Sequence, residues 1–237
     1  MIDIEAWLRE LDEEEDVDIK NNEEYQTKLF EEYILRSTNH AEERKKLNTR
    51  YQNGEPVMGE HGLRKELAAF DLSYFGRAYL PHYFIRKSPH FHEELDEIWE
   101  KGVMKDLNPT KEARTISRMK GSRNVTAAPR GHAKSTNFTF KDDLHAILYG
   151  YKHYIIILSD SSEQAEGFLE DIKTELEENA NIIMDFGSLK GDKAWRSGVI
   201  LTSTNIKVEA IGSGKKVRGR RPVSYTHLRA HETGAYL

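Results

Sequence analysis

An α/β fold, a doubly wound parallel sheet behind a helical N-terminal region, is what this sequence predicts, and three observations carry the prediction. Residues 154–158, YIIIL, form an almost wholly apolar run of strand length, as a parallel strand buried on both faces requires. Helix-period segments flank that run on both sides. Two further β-prone runs, GVILTS and NIKVEAIG, follow at residues 198–203 and 205–212. Strand, loop, helix, strand, helix, strand is the order of a doubly wound sheet.

Taken in order, the first fifty residues read as charged helices. Trp7 and Leu11, then Leu29, Tyr33 and Ile34, give them a thin apolar stripe. Residues 53–62, NGEPVMGEHG, hold three glycines and a proline and mark a loop or a boundary. Leu63, Leu67, Phe70 and Tyr74 then follow one helical spacing that Pro81 stops. Ser88 is a fitting N-cap with Pro89 as first helical residue. Phe91, Leu95, Ile98 and Trp99 share a face of that helix, and Gly102 closes it. DLNPTK, at 106–111, is another loop. Residues 123–128, RNVTAA, are a short β-prone run. After it, Phe140, Leu144, Ile147, Leu148 and Tyr151 line one side of a helix that Gly150 ends. Beyond the YIIIL strand, Ala165, Phe168, Leu169, Ile172 and Leu176 define a second helix face. The last two strands form a hairpin turning near Thr204-Asn205.

Composition bounds the class. With 237 residues, 38% of them hydrophobic, the chain can bury a core, although 32% charged residues make it polar. There is no cysteine, which excludes disulfides and thiolate metal sites. No apolar run approaches the ~20 residues of a membrane span. MIDIEAWLRE lacks the basic and apolar regions of a signal peptide, so a soluble intracellular protein is expected. The net charge of -5 is unevenly spread: residues 1–32 hold 13 Asp/Glu against 3 Lys/Arg, while basic residues gather in GSGKKVRGRRP. An acidic head and a basic body suggest nucleic acid or docking between copies, against the plainer reading of two solvated surfaces.

The stretch of chemical interest is residues 125–140, VTAAPRGHAKSTNFTF. A phosphate-binding loop, G-x-x-x-x-G-K-[ST], aims backbone N–H groups and a helix N-terminus at an anion. Its lysine reaches the β and γ phosphates and its hydroxyl binds Mg²⁺. Here Lys134-Ser135 are intact, Ala128 and Ala133 stand at the glycine positions, and Gly131 is the only glycine. Positive φ at Ala133 would be costly for a residue with a Cβ. The expected nucleotide contacts run through Pro129, Arg130, Gly131, His132, Ala133, Lys134, Ser135 and Thr136. Arg130 could brace the γ-phosphate or the transition-state charge as an arginine finger in cis, and an exposed arginine on a turn is the alternative. His82, His90 and His92 invite a metal reading, but i,i+2 side chains diverge on a helix, and partly exposed histidines are expected. Asp142, Asp143 and Asp160 are carboxylates near the sheet edge where ligand sites gather. For Asp160 a helix-capping role competes.

These residues resemble a family. APRGHAKST, then YIIILSDSSEQAEGFLEDIKTELEENANIIMDFG, WRSG and VEAIGSGKKVRGRRP look like the ATPase motor of tailed-phage large terminases. LSYFGRAYLPHYF and SPHFHEEL resemble the segment that precedes the loop there, so the likeness spans roughly residues 62–222. It implies a P-loop NTPase fold in a homo-oligomeric ring that uses ATP and Mg²⁺ to drive double-stranded DNA into a capsid. It further implies portal and small terminase subunits as partners, the host cytoplasm as location, and no membrane. Lys134 is assigned by it to the phosphates, Ser135 to Mg²⁺ and Arg130 to the γ-phosphate. Phe91-His92 would lie near the adenine, and Arg218 in a loop able to face a neighbouring subunit. The family commonly replaces the loop glycines, which accounts for the alanines.

After Arg221-Pro222 the family continues into an apolar strand ending in paired acids. This chain reads VSYTHLRAHETGAYL, with no such pair. His227 and His231 at i,i+4 imitate zinc ligands, but residues 223–233 resemble the translation of a transposase-type sequencing adapter. The expected organisation is an acidic helical region 1–60, a partial P-loop ATPase domain 61–222 and a non-native tail 223–237. The sheet should then be incomplete, and hydrolysis by this fragment negligible. Another P-loop DNA motor, such as a helicase, and a non-catalytic capsid-assembly docking module are the competing readings.

Overall fold

The computed structural model describes residues 21–36, 40–103, 126 and 133–215, together with the short strand Thr226–His227; for 101–103 and 226–227 it describes the backbone alone. The chain divides into two compact units, Met1–Arg130 and Gly131–Leu237. The described residues of the first are helical, and those of the second form a mixed α/β layer. The division falls at Arg130 and not near residue 60, because α3 and α4 below bury their apolar residues with α1.

In the first unit α1 (Glu23–Ile34) starts at Asn22, whose side chain accepts the Tyr25 N–H at 2.9 Å. It buries Tyr25, Gln26, Leu29, Phe30, Tyr33 and Ile34, a broader face than the three residues its spacing suggested. α2 (Ala41–Gln52) is as thin as expected, burying only Arg44 and Leu47. The run from Leu63 is two helices, α3 (Leu63–Ala68) and α4 (Leu72–Tyr79), and not one. Asp71 makes the break: its side chain accepts the Tyr74 N–H at 2.8 Å, and its other oxygen meets Arg44 at 2.6 Å. An N-cap there restarts the helix, and Pro81 ends it as the sequence indicated. α5 (His90–Val103) runs through Gly102. Its inward face is His92, Leu95 and Asp96, so Ile98 is 40% exposed instead of facing the core.

Arg44 ties this unit together. It is 5% exposed, its guanidinium donates to the Tyr33 carbonyl, and it pairs with Asp71. Gln26 Nε2 donates to the Ala78 carbonyl at 3.1 Å, and Arg77 donates to the Tyr25 hydroxyl at 3.1 Å. α1, α2 and α4 are thereby joined by buried polar contacts as well as by Leu29, Phe30, Tyr74 and Phe75.

In the second unit a π-helical segment, Ser135–Lys141, runs into α6 (Asp142–Leu148). α6 ends as the sequence indicated: Gly150 has φ +70, its N–H donates to Ile147 O, and the Tyr151 N–H donates to Ala146 O. That is the Schellman arrangement, with glycine in its left-handed position. β1 (Tyr154–Ser159) follows, then α7 (Ser162–Glu178), α8 (Ala180–Phe186), β2 (Val199–Leu201) and β3 (Lys207–Gly212). β4 (Thr226–His227) completes the order β2-β3-β1-β4. β1 pairs in parallel with β3 from Tyr154↔Lys207 to Ser159↔Gly212. Ile157 and Leu158 also pair in parallel with β4. β2 and β3 are the antiparallel hairpin, turning at Asn205 with φ +63, so the sheet is mixed and not wholly parallel. The WRSG residues make the entry to β2, where Arg196 donates to the Val199 carbonyl at 2.9 Å. α7 packs on β1 and β3, burying Ala165, Leu169, Ile172 and Leu176, while Phe168 is half-buried.

Two predictions follow from packing and charge. A Cβ on Gly212 would lie 2.6 Å from the Ser162 backbone nitrogen and 2.8 Å from its Oγ. Because backbone cannot give way cheaply, Gly212→Ala should destabilise the second unit by about 1–3 kcal/mol. A lowered denaturant midpoint at unchanged slope would register it.

In the first unit the Glu100 carboxyl is pushed up to about 8 by burial, then by the charges of Asp71, Asp96 and Glu97, with Arg44 acting the other way. His40 Nε2 lies 3.8 Å from it. A raised folded-state value means that the protonated form stabilises the fold. This contribution is complete below about pH 4.5 and is lost as pH rises through about 8. Glu100→Gln should flatten that decline and gain about 1 kcal/mol or more at pH 8, read from unfolding curves across the range.

Candidate functional site

The expected phosphate loop is divided by what the structure describes. Ala128, Pro129, Arg130, Gly131 and His132 lie outside the described residues, as do Arg218 and Gly219. Of RNVTAA only Thr126 is described, half-buried and outside any strand. Ala133, Lys134, Ser135 and Thr136 are described, and they sit together at the start of one continuous helical rod. Ala133 is exposed with φ +49, Lys134 is in the right-handed helical region, and the π-helical segment begins at Ser135. Lys134, Ser135 and Thr136 are each half-buried.

Ala133 is thus left-handed, a conformation that costs an L-residue roughly 1–2 kcal/mol. It occupies the consensus glycine position that directly precedes the lysine. Its carbonyl accepts two hydrogen bonds from Asn137, one from the backbone N–H at 2.9 Å and one from the side-chain Nδ2 at 3.1 Å. Asn137 is 1% exposed, and its Oδ1 is buried with no hydrogen-bond partner. An unmet buried acceptor of this kind costs on the order of 1–3 kcal/mol.

The π-helical turn was not foreseen. The Asp142 N–H donates to Asn137 O, five residues back, which widens the rod directly behind the loop residues. Such turns recur at functional sites because they push one residue out of helical register. The same stretch buries Asn137, Thr139, Lys141, Asp142, Asp143 and His145, with Lys141 Nζ 3.8 Å from Asp142 Oδ1. Periodicity of apolar residues finds the Phe140–Leu144–Ile147 face correctly but gives no warning of polar residues buried around the rest of the rod. His145 packs at a tilt against Tyr149 and Tyr151, with ring centroids at 4.7 and 5.5 Å.

At the C-terminal ends of β1 and β3, Asp160 is exposed and its carbonyl accepts the Ser213 hydroxyl at 3.1 Å. The cap of α7 is Ser161, whose side chain accepts the Gln164 N–H, and not Asp160. Phe91 and His92 belong to the first unit and contact each other at 4.1 Å between centroids. His90 meets Glu94 at 3.3 Å, while His92 is buried. Among the described residues no group of three or more His, Asp or Glu could hold a metal ion, and no helix is long and apolar enough to cross a membrane. No family model, curated protein or solved structure matches the chain. The site is therefore judged on its geometry alone.

That geometry suits a phosphate group in one specific respect. A left-handed residue followed at once by a helix start brings successive backbone N–H groups round to one side, the arrangement on which backbone anion sites are built. Since φ +49 suits glycine, Ala133→Gly should leave the second unit as stable or more stable, by up to about 1 kcal/mol in denaturant unfolding.

Proposed function

We propose that this chain is the N-terminal ATPase part of a tailed-phage large terminase, the motor that hydrolyses ATP to drive double-stranded DNA into a capsid. The observation that carries the reading is the left-handed Ala133 immediately ahead of Lys134-Ser135 and a helix start, the local form a phosphate loop takes at its last glycine. A parallel β1–β3 pair in the same unit supports the finer assignment to a P-loop NTPase fold. On the far side of β1, Ile157 and Leu158 pair with β4, so residues 226–227 of the tail that the sequence marks as non-native take a place in the sheet, against that expectation. The resemblance places its acid-ended strand inside the sheet, beside strands such as YIIIL.

In this reading the loop residues Pro129 to Thr136 wrap the nucleotide phosphates. The Lys134 ammonium holds the β and γ oxygens by charge-assisted hydrogen bonds. The Ser135 hydroxyl is the protein's ligand to Mg²⁺, which when bound neutralises charge on the transferred phosphoryl group. Arg130 faces the γ-phosphate and stabilises charge that develops there. In the same reading the protein acts as a ring with portal and small-subunit partners in the host cytoplasm.

Lys134→Ala should weaken binding of a fluorescent ATP analogue with Mg²⁺ by tenfold or more, as the loss of one charge-assisted hydrogen bond of about 1.5–3 kcal/mol implies. Circular dichroism should show the variant folded. Equal affinity in folded wild-type and variant chains, or no binding by either, would sink the motor reading and leave the docking-module alternative.

A further inference from the structure

We infer that Asn137 is a positioning residue of the phosphate loop: it fixes the Ala133–Lys134 peptide so that the Lys134 backbone N–H faces the nucleotide. This rests on the nucleotide-binding reading above and deepens it. Both donors of Asn137 close on one acceptor, the Ala133 carbonyl, at 2.9 Å from the main chain and 3.1 Å from the side chain. The first is the ordinary opening bond of a helix. The second is not, because it spends a buried side-chain amide on a carbonyl that already has a partner.

What the fork determines is a direction. A peptide unit is planar and trans, so its C=O and the following N–H point in opposite senses. With the Ala133 carbonyl drawn down the rod toward Asn137, the Lys134 N–H must point away from the rod. That N–H is one of the donors a phosphate loop aims at its anion. In the usual loop a glycine takes up the left-handed turn without strain. Here an alanine must be held in it, at φ +49, and Asn137 is the residue that does the holding.

Asn137 is poorly explained as a stabiliser of the core. It is 1% exposed and, among the described residues, its Oδ1 has no hydrogen-bond partner, so an apolar residue of the same size would suit a purely packed interior better. Leucine has nearly its shape and neither its donor nor its unmet acceptor.

The experiment compares the 237-residue wild type with Asn137→Leu, Asn137→Ala and Lys134→Ala. The readouts are affinity for a fluorescent ATP analogue with Mg²⁺, denaturant unfolding without nucleotide, and the Lys134 backbone amide resonance with and without ADP–Mg²⁺. Asn137→Leu should unfold no more readily than wild type, yet bind nucleotide about fivefold or more weakly, the order expected for losing one neutral hydrogen bond. Its Lys134 amide should shift on nucleotide addition far less than the wild-type amide does. If Asn137→Leu does not fold, Asn137→Ala carries the same comparison of affinity and amide shift. Should Lys134→Ala lose binding while both Asn137 variants keep wild-type affinity and amide shift, the positioning role is overturned and the nucleotide site stands. Should Lys134→Ala bind as well as wild type, or wild type not bind at all, the nucleotide reading fails and the inference falls with it.

Discussion

The second unit depends on one ladder, the in-register parallel pairing of β1 with β3. Ile155, Ile156 and Ile157 are at most 1% exposed, as are Val208 and Ile211, so the two strands are covered on both faces. Parallel strands cannot be joined by a tight turn, and the chain between them must cross over. Residues 160–206 make that crossing, and α7 uses it to bury Ala165, Leu169, Ile172 and Leu176 on the strands. The ladder also fixes where the strands stop. Ser159 and Gly212 end side by side, the Ser213 N–H donates to the Ser159 carbonyl at 2.8 Å, and α7 starts close enough to Gly212 to leave no room for a side chain. β2 leads into β3 through a short hairpin, the local part of the sheet.

The first unit is held on different terms. Its helices are short and polar, and α2 buries only Arg44 and Leu47. Apolar burial by Leu29, Phe30, Leu63, Leu67, Tyr74 and Phe75 supplies cohesion but little direction. Direction comes from Arg44, which satisfies a carbonyl at the end of α1 and the cap of α4 at once. A buried ion pair adds little net stability once its desolvation is counted. Breaking it would leave Asp71, 8% exposed, without its guanidinium, so its worth lies in excluding other arrangements of α1, α2 and α4.

Much of this was legible in the sequence, and the misses share a cause. The strands YIIIL, GVILTS and NIKVEAIG, the hairpin at Asn205, the Gly150 helix end and the Pro81 stop all rest on signals local to a few residues, and local signals survive folding. The break at Asp71 was hidden because Leu63, Leu67, Phe70 and Tyr74 keep helical spacing across it. Only the distant Arg44 reveals that Asp71 is a cap. α5 turned a different face inward because His92 and Asp96 are buried where periodicity assumed Phe91 and Ile98. At the candidate site the Lys134-Ser135 pair was plain and positive φ at Ala133 was considered, whereas the π-helical turn and Asn137 were not. Neither has a sequence signature, since both arise from how one carbonyl is shared.

The conflicts between local preference and structure gather in one place. Ala133 is left-handed without being glycine, Ser135–Lys141 is π-helical, and Asn137 and Thr139 are buried with side-chain oxygens lacking hydrogen-bond partners. Elsewhere in the second unit Gly150 sits where φ is positive, Ser161 caps α7, and the covered Ile155–Ile157 of β1 are apolar. A sequence that obeys these rules over α7 and the sheet and breaks several within nine residues, Ala133 to Lys141, is not badly folded overall. It accepts strain where orientation of a few groups counts for more than their stability. Alanine at 133 makes the point most directly. Glycine would remove the strain and also the rigidity, whereas a strained alanine clamped by Asn137 has one conformation to offer. In the proposed nucleotide site such a clamp would hold the Ala133–Lys134 peptide oriented before binding, so that ordering it adds little to the cost of binding an anion.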